Sequence, residues 1–175
     1  MTVRPVRPEE YEALAVLTVS AYQALLGPDL DREYVAELAD VAGRAAVADI
    51  LVAVDDDGRL EGGIAYVPGP GPLAWFDGPE EAGIRMLAVA PAAQGRGVGA
   101  RLIAACIERA AAAGKVRLLL HTTAPMVVAH RLYERAGFRR DPEHDRVLDG
   151  GLLLLAYVLH LDGRVGDARP GGGIG

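Results

Sequence analysis

Apolar positions along this chain change period several times, and each change marks an element. Tyr11, Leu14, Ala15, Thr18, Ala21 and Tyr22 are spaced to share one helical face. Pro8, Glu9 and Glu10 ahead of them suit a helix start, and Gly27-Pro28 ends the run. Asp31 suits a cap for a second helix, with Tyr34, Val35, Leu38, Val41, Ala42 and Ala45 on its buried side. Val3 to Val6 reads as a short first strand. Ile50 to Val54 and Gly62 to Val67 read as two strands of an antiparallel hairpin, turned by Asp55-Asp56-Asp57-Gly58. Pro68 to Pro72 breaks the pattern and opens a loop carrying Trp75, Phe76, Asp77, Glu80 and Glu81. Those two aromatics either pack or wall a pocket. Ile84 to Val89 is the next strand, stopped by Pro91. A helix from Ala100 to Ala113 follows, with Leu102, Ile103, Cys106, Ile107 and Ala110 as its apolar stripe. Arg117 to His121 is a strand, and Met126 to Ala136 a helix between Pro125 and Gly137. After a turn at Asp149-Gly150-Gly151 comes a continuous apolar strand, Leu152 to Leu159.

The order is β-α-α-β-β-β-α-β-α-β. A helix between the Ile84 and Arg117 strands makes that pair parallel, whereas the hairpin is antiparallel. The expected fold is therefore α/β: a mixed sheet of six to seven strands with helices on both faces. The 175 residues suit one domain over 1–161, and the glycine-rich stretch 162–175 reads as a flexible tail. An apolar last strand at a sheet edge would offer itself to a second chain, as in a homodimer.

Composition removes several classes of function. The net charge of −6 argues against nucleic acid, whose phosphates need clustered Lys and Arg. No apolar run is long enough to span a bilayer, and no basic-then-apolar signal opens the chain. Cys106 is the sole cysteine, which rules out an internal disulfide and fits a reducing cytoplasm. It lies on the apolar helix stripe and reads as core. Lys115 is the only lysine and asparagine is absent, which reads as the codon bias of a GC-rich bacterium. The three aspartates lack the spaced ligands and closing Glu of a calcium loop, so no metal is expected.

Candidate chemistry centres on Gln94-Gly95-Arg96-Gly97-Val98-Gly99. Strand, glycine turn and helix start together form an anion cradle suited to a pyrophosphate. Gly95-x-Gly97-x-x-Ala100 meets the loose dinucleotide fingerprint. No acidic residue follows about 20 positions on to hold a ribose, which disfavours a nucleotide-dependent oxidoreductase. A Walker phosphate loop is excluded, since its Gly-Lys-Ser/Thr is missing.

Leu87-Ala88-Val89-Ala90-Pro91 followed by Gln94 to Gly99 resembles the acetyl-CoA signature of the GNAT acetyltransferase superfamily, Q/R-x-x-G-x-G/A. Ala129 to Phe138 is similar to that family's A-x-x-L-Y-E-K/R-x-G-F segment. The resemblance implies an acetyl-CoA-dependent N-acetyltransferase acting on a small-molecule or peptide amine. It implies that backbone groups of Leu87, Ala88 and Val89 pair with the pantetheine arm, in a gap splayed between two strands. Amides of Gly95, Arg96, Gly97, Val98, Gly99 and Ala100 would hold the pyrophosphate, with side-chain donors from Gln94 and Arg96. Tyr133 would be the general acid for the leaving thiolate. Two positions depart from the family pattern. Gly83 stands where many relatives carry a strand Glu as base, and Met126 where an Asn often touches pantetheine. Glu81, Asp77, His121 or a water path are left as candidates for the base. The missing Glu also leaves open a non-catalytic acyl-CoA sensor of the same fold. Asp29, Asp77, Glu80 and Glu81 would make the acceptor region acidic and suit a cationic amine.

Overall fold

In the computed structural model, residues 1–148 and 151–161 are described. The chain begins with β1 (Thr2–Pro5), a single 3-10 turn, and α1 (Tyr11–Leu26), which buries Leu14, Thr18, Ala21 and Tyr22. The Asp31 carboxylate then accepts from the amides of Glu33 and Tyr34 and opens α2 (Arg32–Ala39). The helix expected to continue from here is interrupted. Asp40 leaves helical geometry and caps α3 (Val41–Ala45) through the Gly43 amide. The predicted buried side is broken with it: Ala42 is exposed and Arg44 is buried instead. Arg44 donates to the carbonyls of Glu37 and Leu38, closing the end of α2.

The hairpin forms as expected from β2 (Asp49–Val54) and β3 (Leu60–Val67). The central strand β4 (Glu81–Val89) starts three residues before Ile84, so Glu81 is a buried strand residue and not a loop acid. Then come α4 (Val98–Ala112), β5 (Arg117–Thr122) and α5 (Val127–Arg135). Two short strands, β6 (Arg139–Arg140) and β7 (Arg146–Val147), precede β8 (Leu153–His160). At two residues each, β6 and β7 are too short to carry a period.

The sheet runs β1-β2-β3-β4-β5-β8-β6, with β7 beside β8. It has eight strands rather than the expected six to seven. The β4–β5 pair is parallel and all the others are antiparallel. The last strand is not at an edge, because β5 lies on one side of it and β6 and β7 pair with it as well. The predicted tail at 162–175 lies outside the described residues, as do 149 and 150 of the predicted turn.

Strand alternation divides the core into two layers. Leu51, Ala53, Ile64, Tyr66, Ile84 and Leu120 face α4 and α5, where Leu102, Ile103 and Cys106 meet them. Ile50, Val52, Val54, Ala65 and Val67 face α1 and α3. Burial pushes the Cys106 thiol up to about 12, which suits a core residue and not a nucleophile. Among the described residues no helix is long and apolar enough to cross a membrane.

Candidate active site

The site begins where β4 and β5 part. Glu81 to Ile84 pair in register with Arg117 to Leu120, and pairing stops there. β5 continues along β8 as far as Thr122, while β4 continues along β3. The cause is local. Gly63 faces Ala88 and Ala65 faces Arg85, so Ile64 alone spans Met86 and Leu87. This is a β-bulge, and Met86 sits in it at φ 52°. A non-glycine residue at positive φ costs about 1–3 kcal/mol, so the surrounding structure must hold the bend in place. β4 thus swings away from β5 and leaves a V-shaped gap between them.

A cavity of about 610 Å³ fills that gap. Its walls include Ile84, Arg85, Met86 and Leu87 of β4, together with Leu120, His121 and Thr122 of β5. Tyr133 reaches it from α5, and Tyr22 and Tyr34 close it from α1 and α2. Of the expected pantetheine strand, Leu87 lines the cavity, and Ala88 and Val89 continue β4 beyond it. Met126 is also in the wall, its sulfur accepting from the Thr122 hydroxyl at 3.4 Å.

The glycine turn has the geometry of an anion cradle. Gly95 and Gly97 adopt φ of 76° and 80°, which L side chains rarely do. Arg101 is the first residue of α4 whose amide finds a backbone carbonyl, that of Gly97 at 3.1 Å. The amides of Gly95, Gly97, Val98, Gly99 and Ala100 have no acceptor among the described residues. They cluster at the positive end of a 15-residue helix. At Gly99 an added Cβ would lie 2.9 Å from Leu132, so glycine lets α4 approach α5 closely.

The Arg96 side chain is engaged within the protein. Its guanidinium pairs at 2.5 Å with Glu61 of β3, whose side chain is buried. The other Glu61 oxygen is buried without a partner. The Arg96 amide bonds weakly to Ala93, and Gln94 is exposed with no side-chain partner among the described residues.

Tyr133 is 6% exposed, and its hydroxyl has no hydrogen-bond partner among the described residues. Burial raises its pKa, so the phenol stays protonated. The candidates for the base separate. Glu81 is tied to Arg117 at 2.5 Å and accepts from the Gly78 amide at 3.0 Å. It lines a different recess, together with Asp77. At Gly83 an added Cβ would stand 2.8 Å from the Phe76 ring, so the strand position where the resemblance led one to expect a Glu is roofed by an aromatic. His121 alone of the three lines the cavity. Its Nε2 is 3.0 Å from the His144 carbonyl. A carbonyl can only accept, so Nε2 carries the hydrogen and Nδ1 holds the lone pair when the ring is neutral. Burial lowers its pKa, only partly offset by that hydrogen bond.

The expected acidic acceptor region does not assemble around the gap. Asp29, Asp77, Glu80 and Glu81 are all absent from the cavity wall, which carries Asp31, Glu37 and Arg85 instead. Trp75 and Phe76 divide the two roles expected of them, with Trp75 lining the cavity and Phe76 packing over Gly83.

A model of the acetyltransferase (GNAT) family matches residues 12–138, and the chain belongs to that family. No curated protein matches it significantly. Solved structures share the fold. One is an acetyltransferase of the GNAT family from Staphylococcus aureus, with TM-score 0.71 and 15% identity over 91% of this chain and 98% of that one. Another is the PaiA N-acetyltransferase from Thermoplasma acidophilum in complex with coenzyme A, with TM-score 0.69 and 15% identity over 89% and 96%. A Salmonella typhimurium protein solved with its cofactor acetyl-CoA has TM-score 0.65 and 23% identity over 98% of both chains.

Proposed function

We propose that this protein is an acetyl-CoA-dependent N-acetyltransferase of a primary amine. The observation that carries the reading is the gap between β4 and β5, with a phenol on one wall and an amide cradle at the end of the same strand. The residues fit the cosubstrate. The backbone of Leu87, Ala88 and Val89, without a strand on the β5 side, suits the amide-bearing arm of pantetheine. Free amides of Gly95, Gly97, Val98, Gly99 and Ala100 suit its pyrophosphate. The neighbours solved with CoA and acetyl-CoA support the same ligand class.

Acetyl-CoA supplies the acetyl group as a thioester. His121 Nδ1 takes a proton from the amine so that its nitrogen lone pair is free to attack. Its lowered pKa keeps it neutral at neutral pH, as a base must be. Backbone amides of the open part of β4 would be the donors to the oxygen on which negative charge develops. Tyr133 donates its proton to the departing sulfur. In net terms a C–N bond replaces a C–S bond, and the ammonium nitrogen gives up two protons, of which one ends on the thiol and the other leaves through His121 to solvent. Arg96, held by Glu61, shapes the turn beside the cradle.

Thermal melts with acetyl-CoA, CoA and NADH in parallel test the reading. At about 100 times the dissociation constant a ligand stabilises by roughly 2.7 kcal/mol. Both CoA forms should raise Tm and NADH should not. A shift with NADH alone would sink the acetyltransferase reading.

A further inference from the structure

Arg85 is the charged residue of the open strand that the chemistry above leaves unused. Ile84 and Leu120 are the last paired residues of β4 and β5, so Arg85 and His121 are the first pair past the parting point. Alternation turns Ile84 into the α4 layer and Arg85 to the opposite face, the one on which Phe76 covers Gly83. There the guanidinium lies 3.9 Å from the centre of the Trp75 ring, and His121 meets the same ring edge-on at 4.9 Å. Trp75 therefore holds both side chains in place against one wall.

The Arg85 side chain is only 16% exposed, yet it is poorly matched. One donor reaches the Leu73 carbonyl at 3.2 Å. Glu37 approaches to 3.6 Å, beyond hydrogen-bond reach, and is itself half exposed. An arginine has five N–H donors and cannot shed its charge, so one largely withdrawn from water with a single acceptor keeps donors open to a ligand. Burial lowers its pKa more than Glu37 raises it. Arg146, 5.5 Å from the Trp75 ring, adds further positive charge nearby.

We infer that Arg85 anchors a carboxylate of the acceptor, so that the substrate is a small amino acid whose amine lies toward His121. This rests on the acetyltransferase reading and names its substrate class. The planar guanidinium fork matches a carboxylate in two parallel bonds. Asp31 and Glu37, also in the cavity wall, oppose a doubly charged phosphate. Tyr22, Met86 and Leu154 provide an apolar surface for the substrate's side chain.

The test compares amines that differ only in the carboxylate: leucine with isoamylamine, and phenylalanine with phenethylamine. Release of the CoA thiol reports turnover. Isothermal titration of the same four compounds into the CoA-loaded protein reports binding apart from turnover. The wild type should favour the amino acid by about 10- to 100-fold in both readouts. Arg85→Met should collapse that ratio toward 1, and Arg85→Lys should restore part of it. Equal handling of acid and amine by the wild type, or a ratio that survives Arg85→Met, overturns the inference. Acetylation of the plain amines would then leave the acetyltransferase reading standing. A carboxylate preference in titration with no thiol release upholds Arg85 and removes that reading.

Discussion

The two parts of β4 have the same partner on one side and different surroundings on the other. From Glu81 to Ile84 the strand pairs with β5, with Gly83 and Ile84 paired to β3 as well, and all four residues are buried. From Arg85 to Val89 it keeps β3 but loses β5, and every residue except Ala88 is partly exposed. The first part is built as core: Ala82 and Ile84 pack into the α4 layer, and Glu81 is neutralised by Arg117. The second part exposes backbone groups, holds an under-paired arginine and carries a strained residue at Met86. One strand thus serves two purposes, and the bulge is the boundary between them. Loss of pairing creates a site here because the core on the paired side keeps the gap open.

Damage to the closed part should cost stability and spare chemistry. Leu118 of β5 is fully buried and pairs with Ala82. Leu118→Ala should lower unfolding free energy by about 2–5 kcal/mol in urea melts, with turnover per folded molecule kept within a few-fold. The open part should behave in the opposite way. Tyr133→Phe removes a hydroxyl that has no partner among the described residues, so Tm should hold. Its kcat should fall by about 1,000-fold while acetyl-CoA affinity stays near wild type. Unchanged turnover would remove the general-acid role.

His121 gives a pH signature. Its folded pKa lies below 6.5, so the active neutral form is full above that value and is lost as pH falls through the folded pKa. The acid limb of kcat/KM should therefore lie below pH 6.5. His121→Gln should abolish that limb and slow the reaction about 100-fold. The same shift also makes folding favour the neutral ring, so this group's contribution to stability fades over the same fall in pH. The smallest effect is at the turn. Gly97→Ala forces a side chain into φ 80° and should cost about 1–2 kcal/mol of stability, together with weaker acetyl-CoA binding.

Much of this contrast was legible in the residues. The parallel β4–β5 pair follows from a helix between two apolar runs, and the cradle from Gly95, Gly97 and the helix behind them. The splay was expected only through the family resemblance, since a bulge at Met86 leaves no mark in hydrophobic period. Arg85 had a readable signal that went unused, being the one charge in the run Ile84 to Val89. Glu61 likewise stands alone as an acid in an apolar strand. Whether such a charge is buried, and against what, depends on strands distant in sequence. For the same reason Glu81 read as a loop acid: its partner Arg117 lies in another strand, and proline-glycine signals obscured the true start of β4.

The most direct measurement is amide hydrogen exchange with and without acetyl-CoA, resolved by peptide along β4 and the glycine turn. Peptides spanning residues 87–100 should gain protection, because their backbone groups are the ones proposed to hold the ligand. Residues 81–84 should already be protected and change little. Protection confined to the closed part, or none across the turn and the open strand, would contradict the placement of the cosubstrate in the gap.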